Sequence, residues 1–353
     1  MEVTARLGSM MPYRQAAKVL ADFLPVEPTE THATVRKRTI RIGERLNDQI
    51  VRETWRTRAQ ADDRRQIEMQ LPGDRRKEFV ISIDTAHVRS AEPNAARNFE
   101  LVVARCGCGG RGEPGGRYFV SGSTEQHAIR DRTLHALEEV GYRGFGDVTV
   151  ISDGAEILKR LPHAMPKPTN HIIDWFHIAM KIQPMQQIAD HIARSQPEGA
   201  LSTIDTEIRA VKWRLWHGRV DYAIRGMEQL LARLKETQQE NGFSTVRLHS
   251  LGAQLLTYMR SNRSGMINYG KRYRSGLRVA TTLAESAVNS LVSKRMVKKQ
   301  QMRWSRHGAH MLMQVRTAEV NGELRDRLRA PFRQPEPNVP PIFKPKPPLL
   351  QVA

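Results

Sequence analysis

Phe79-Val-Ile-Ser-Ile-Asp84 and Asp147-Val-Thr-Val-Ile-Ser-Asp153 decide how this chain is read. Each is a run of β-branched and apolar residues closing on an aspartate, the pattern of a buried strand with a carboxylate at its end. Working outward, Phe99-Glu-Leu-Val-Val-Ala-Arg105 and Tyr118-Phe-Val120 read as two more strands parted by glycine-rich turns, which predicts an antiparallel meander with the first. A helical segment from about Ile129 to Val140 stops at Gly141. The second aspartate strand runs into the helix Gly154-Ala-Glu-Ile-Leu-Lys159. Strand His171-Ile-Ile-Asp174 opens into the helix Trp175-Phe-His-Ile-Ala-Met180.

Three strands, helix, strand, helix, strand, helix is the element order of an RNase H-like sheet, so the expected class is α/β with a mixed sheet. We divide the chain accordingly. Residues 1–50 form a small helix-turn-helix unit: Ala16, Ala17, Leu20, Phe23 and Leu24 recur at helical spacing, and a second helix starts near Thr31 or Thr34. Residues 51–76 are a charged linker or helix, and 77–184 are the first part of the core. Residues 185–265 carry no strand signal and read as an all-helical insertion holding Trp213 and Trp216. Residues 266–329 supply the closing core helices, from Thr282 to Lys299 and from Trp304 to Val320. Residues 330–353 contain eight prolines and read as an extended, disordered tail.

The chain of 353 residues carries a net charge of +19. Such an excess of Lys and Arg calls for a polyanionic partner, because neutralising phosphates releases condensed counterions. The charge is clustered. Arg36, Lys37, Arg38, Arg41 and Arg45 share the second helix, the position of a DNA-reading helix, while Lys294, Arg295, Lys298 and Arg303 gather near the end of the core. No run approaches the roughly 20 apolar residues of a membrane span, and the first residues lack the apolar stretch of a signal peptide. We therefore expect a cytoplasmic, nucleoid-associated protein. Cys106 and Cys108 are the only cysteines and cannot complete a four-ligand zinc site alone; they read as free thiols in a turn.

If the two aspartate strands are neighbours, Asp84 and Asp153 emerge side by side. Like charges so placed are unfavourable unless a cation neutralises them. Mg²⁺ suits hard oxygen ligands, and two ions about 4 Å apart could assist in-line phosphoryl transfer. Either aspartate alone could equally be an ordinary strand-end or capping residue. Glu285 adds weight: from Lys271 to Arg306 there are ten Lys and Arg and this single acid, whereas a solvated helix intersperses both signs. Asp174 and His177, three apart, share one helix face; they could bind metal, orient water or the scissile DNA, or cap the helix, and we read them as a supporting pair near the site. Packing is the first reading for Trp213 and Trp216, with base stacking physically reasonable.

Met11-Pro-Tyr-Arg-Gln-Ala-Ala17, His32-Ala-Thr-Val-Arg-Lys-Arg-Thr39, Ile83-Asp-Thr-Ala-His-Val88 and Val150-Ile-Ser-Asp-Gly154 come in a telling order. They are followed by Asp174-Trp-Phe-His177, Trp213-Arg-Leu-Trp-His-Gly218, Glu285-Ser-Ala-Val-Asn289, Lys294-Arg-Met296 and Met302-Arg-Trp-Ser305. Over residues 10 to 320 this ordered set resembles the DDE transposases of bacterial insertion sequences, of the ISKra type. The resemblance implies an enzyme dependent on Mg²⁺ or Mn²⁺, with two ions, that cuts DNA at terminal inverted repeats and joins the freed ends to target DNA. It implies a homo-oligomer assembled on DNA. Its acidic triad falls on Asp84, Asp153 and Glu285, and its Asp-x-x-His motif on Asp174 and His177. Relatives of that type carry more sequence before the helix-turn-helix, often with Cys-based metal-binding segments. A second expectation is therefore an N-terminally shortened, inactive transposase-derived protein that still binds DNA.

Overall fold

A computed structural model describes the chain except residues 25–30, 65–77, 94, 111–114, 145, 196–197, 199–200, 237, 298–301 and 331–353. For 58–64, 238–244, 283–285 and 297 it describes the backbone alone. The segment preceding the sheet contains helices α1 (Glu2–Met10), α2 (Tyr13–Phe23) and α3 (His32–Arg64). The sheet follows as β1 (Glu78–Arg89), β2 (Asn98–Cys108) and β3 (Arg117–Ser121). After helix α4 (Gln126–Glu139) come β4 (Asp147–Ser152), the short helices α5 (Glu156–Lys159) and α6 (Leu161–Ala164), and β5 (Thr169–Ile173).

These five strands form one mixed sheet in the order β3-β2-β1-β4-β5. β1, β2 and β3 pair antiparallel as the meander required, while β4 and β5 run parallel to β1. Parallel strands need crossovers, and α4 and the α5–α6 pair supply them. The continuous apolar runs arise because both faces of the sheet are covered. On one face Phe79, Ile81, Ile83, Val148 and Val150 pack against Ile129 and Leu137 of α4 and against Leu158 and Leu161. On the other, Val88, Leu101, Val103 and Val120 meet Ala287, Leu291, Trp304, Leu312 and Met313. The fold is thus α/β with helices on both faces of a mixed sheet.

Helices α7 (Trp175–Ser195), α8 (Ile204–Trp216), α9 (Val220–Glu236) and α10 (Gln238–Ser261) bury a second core of their own, with Ile182, Met185, Ile208, Leu230 and Met259 at its centre. Helix α11 (Tyr269–Arg274) leads back to the sheet. Then α12 (Thr282–Ala287) passes directly into π-helical turns over Val288–Val297 rather than continuing as one regular helix, and α13 (Arg306–Val320) and α14 (Leu324–Arg329) close the core. Among the described residues no helix is long and apolar enough to cross a membrane.

Two boundaries differ from those expected. β1 does not stop at Asp84 but runs on to Arg89, because β2 stays paired with it along that whole length. α3 passes the boundary at residue 50 unbroken. Its apolar side is also not private to a small N-terminal unit: Ile42 and Leu46 pack with Val315, Ala318 and Leu324. Gly43 crosses α13 so closely that a β-carbon there would lie 2.2 Å from the Met311 carbonyl oxygen. Part of the 51–76 segment and the tail from 331 lie outside the described residues.

Candidate metal centre

Register brings the carboxylates together. Glu78 pairs with Asp147 and Ser82 with Ile151, an offset of 69 residues. Val148 pairs with Thr169 and Ser152 with Ile173, an offset of 21. Carried one or two residues past the last pairs, the same offsets set Asp84, Asp153 and Asp174 level with one another, where β4 and β5 end while β1 runs on beside β2. This is the edge where open α/β sheets gather ligands. β4 ends at Ser152 and turns away through Gly154, whose φ of +86° suits glycine. Asp84 therefore has β2 beside it but no β4 backbone opposite.

Ligating atoms of Asp84, Asp153 and His177 all lie within 4.8 Å of one another, and the three side chains are half-buried. The Asp84 carboxylate accepts the Thr85 N–H at 2.7 Å and the Asp153 carboxylate accepts the Ala155 N–H at 2.8 Å, which fixes both groups. Burial pushes the Asp84 carboxyl above the usual carboxylate range, and the neighbouring Asp153 adds to the rise while the Thr85 N–H opposes it. Such a pair holds negative charge poorly by itself and accommodates a cation well.

Asp174 is fully buried and has a different task. Its backbone N–H reaches Ser152 O at 2.8 Å, continuing the β4–β5 ladder. One carboxylate oxygen caps α7 through the Phe176 N–H at 2.8 Å. The other meets His177 Nδ1 at 2.9 Å and accepts the Thr281 hydroxyl. The hydrogen bond that His177 donates to Asp174 raises its imidazole above the ordinary value, with burial opposing. Asp174 thus orients His177, in the manner of a carboxylate holding a metal-binding histidine. Sequence reading assigned this pair a supporting place; the geometry puts the histidine among the candidate ligands, and only the i,i+3 spacing hinted at it. Tyr258 of α10 donates its hydroxyl to the Asp153 carbonyl at 2.6 Å, a contact that no sequence signal announced.

Glu285 lies on α12, but its side chain is outside the described residues. α12 packs against β1 and β2, and Ala287 joins Ala86 and Val88 in one cluster. Ala86 and Val88 share the side-chain parity of Asp84 along β1, so α12 covers the face toward which Asp84 points.

The basic residues divide. Arg36, Lys37 and Arg41 on α3 are exposed, as are Lys294 and Arg303, and Arg38 is half-buried. Lys298 lies outside the described residues. Arg45 turns inward, donating to the carbonyls of Leu328 at 3.0 Å and Ala330 at 2.6 Å. Arg295 corrects the expectation of a phosphate contact. It is 4% exposed, donates to Gly8 O at 3.1 Å, and sits 4.9 Å from the Tyr13 ring centroid and 5.0 Å from that of Trp304. Two aromatic faces and a carbonyl hold it in place of solvent. Trp216 packs against Trp175 and Tyr269, whereas Trp213 is 50% exposed. Cys106 is buried and Cys108 half-buried; both lie at the end of β2, and no disulfide joins them. No family model and no curated protein sequence matches the chain.

Proposed function

We propose that the chain is a metal-dependent DNA transposase of the DDE type with an RNase H-like core. The observation that carries the reading is the meeting of Asp84, Asp153 and His177 within 4.8 Å at the strand ends, in a protein of net charge +19. The donor set fits Mg²⁺ or Mn²⁺: two carboxylates, of which Asp84 has its proton affinity raised by burial and by neighbouring Asp153, beside an imidazole set by Asp174. Asp84 and Asp153 would hold the ion with His177 beside them, and Glu285, on α12, is the proposed third acid. A divalent ion there would supply Lewis-acid chemistry, favouring ionisation of a water or 3′-hydroxyl and neutralising charge on a phosphoryl group.

The protein's own part is positional. The Thr85 and Ala155 amides hold the two carboxylates against their mutual repulsion. Asp174 fixes the imidazole and ties α7 to β4. The exposed cations Lys294 and Arg303 would bind phosphates without reading bases, while Arg36, Lys37 and Arg41 stand on the helix proposed to read DNA. DNA, as element ends and target, is the proposed substrate, and a homo-oligomer on DNA the proposed assembly.

Asp153→Asn keeps size and shape but removes a charged ligand. Cleavage and strand transfer on element-end DNA in Mg²⁺ should fall by orders of magnitude, while gel-shift affinity persists. Equal strand transfer by the variant would end the metal-site reading. Native protein that binds element ends but never cuts them would instead favour the shortened DNA-binding remnant.

A further inference from the structure

A cleft of about 620 Å³ opens along the outer edge of β5, apart from the carboxylate cluster. Its volume lies within the range of small-molecule sites. One wall is the α5–α6 segment, with Lys159 and His163; the other is the stretch after α10, with Asn262 and Ser264; Arg272 and the edge strand complete it. Among the described residues no acidic side chain lines it.

The charges around it can be followed one by one. Arg272 is held by Glu78 at 2.8 Å, so it contributes hydrogen-bond donors more than net charge. Lys159 donates to Ser261 O at 3.1 Å and, among the described residues, pairs with the exposed Glu156 at 3.9 Å. Burial, then Lys159 and His163, lower the His171 imidazole, while Asp153 opposes them. Lys159, His163 and Arg272 thus bring nitrogen donors to this cleft. Asn262 supplies the complementary feature. It is 4% exposed, its amide N–H₂ donates to Tyr258 O at 2.9 Å, and its Oδ1 is buried with no hydrogen-bond partner. Buried acceptors are rarely left so; this one faces the Gly154 turn, and a turn of the Asn262 side chain, which lines the cleft, would bring it to a ligand N–H.

We propose that this cleft binds a nucleotide, its phosphate against Lys159 and His163 and an N–H of its base toward Asn262. The phosphate meets the Lys159 ammonium and a ring nitrogen of His163, and the base supplies the donor; volume and mixed lining suit the two together. The site also shares a wall with the Asp153 turn. His171 Nε2 lies 2.9 Å from Ser152 Oγ, which accepts the Gly154 N–H at 3.2 Å, and a β-carbon on Gly154 would lie 2.4 Å from Asn262 Oδ1. The proposal does not rest on the metal reading and would stand if that reading failed.

The experiment is calorimetric titration of the full chain, in EDTA and phosphate-free buffer. The ligands are 5′-deoxynucleoside monophosphates, the matching nucleosides, inorganic phosphate and a short single-stranded oligonucleotide. At least one mononucleotide should bind more tightly than its nucleoside and than phosphate. Lys159→Ala with His163→Ala should weaken it by at least roughly tenfold, the scale of a lost charge-assisted hydrogen bond. Unchanged thermal melting will certify that the double variant is folded. Should the variant not fold, Lys159→Gln and displacement of the mononucleotide by inorganic phosphate take its place. An oligonucleotide that competes with the mononucleotide and loses affinity in the variant supports the site and assigns the phosphate to a strand. Three results would overturn the proposal: no mononucleotide binding by the native chain, equal binding by the folded variant, or phosphate binding as tightly as every nucleotide.

Discussion

Gly154 and Arg295 show how much a single position carries. Gly154 turns the chain just past Asp153 with φ +86°, and an added β-carbon would strike Asn262. Gly154→Ala should cost about 1–3 kcal/mol of stability and weaken Mn²⁺ binding by displacing the Asp153 carboxylate. Melting and metal titration check this, and unchanged metal affinity would show that the turn does not hold the ligand. Arg295→Ala should cost about 2–4 kcal/mol, the sum of a desolvated cation–π contact and a charged hydrogen bond, and leave nonspecific DNA affinity little changed in the protein that remains folded. Arg303→Ala should do the reverse, weakening all DNA sequences alike. If Arg295→Ala loses DNA affinity at full stability, its burial has been misjudged. Asp84 and Asp153 were legible because each interrupts an apolar run. Arg295 was not legible. Lys294 and Arg295 look equivalent in one dimension, and only Tyr13 and Trp304, both remote in sequence or turned by the fold, tell them apart.

At the scale of elements, strands read shorter than they are. The apolar run of β1 marks the part covered on both faces; beyond Asp84 it alternates, with Ala86 and Val88 buried and His87 exposed, and a search for continuous apolar residues stops there. The crossover order, by contrast, was readable, because parallel strands separated by helical periodicity admit few arrangements. The contacts of α13 were invisible. His310 on that helix is fully buried, lies 3.0 Å from Asn47 Oδ1, and receives the Gly122 N–H on Nδ1 at 3.0 Å. Burial, then Arg132 and His307, hold its imidazole well below the ordinary value. A folded-state value depressed in this way means that its contribution to stability is complete above roughly pH 6.5. The contribution is lost as pH falls from there through the folded value. Urea midpoints should therefore drop on acidification below that point, and His310→Gln should flatten this part of the profile. A variant with the native slope would assign the titration elsewhere.

For the whole molecule, the notable departure concerns the N-terminal helices. Residues 1–50 read as a detachable DNA-binding unit, since amphipathic spacing shows that a helix has an inner side but not what that side meets. Here it meets α13 and α14 as well as α1 and α2. Residues 77–329 expressed alone should accordingly unfold without a cooperative transition and expose apolar surface to a hydrophobic dye. A sharp, native-like melt for that fragment would restore the independent unit. The helical insertion raises the opposite question, for it was predicted as an appendage and does own a core. Yet Tyr258, near the end of its last helix, bonds the backbone oxygen of Asp153. Binding free energies are reciprocal. Any ligand that favours one position of α10 alters the cost of holding Asp153 in place, and a cation seated between the carboxylates must change that ligand's affinity by the same factor. Tyr258→Phe cuts the thread, so that whatever coupling runs through this hydroxyl would vanish while each site kept its own affinity.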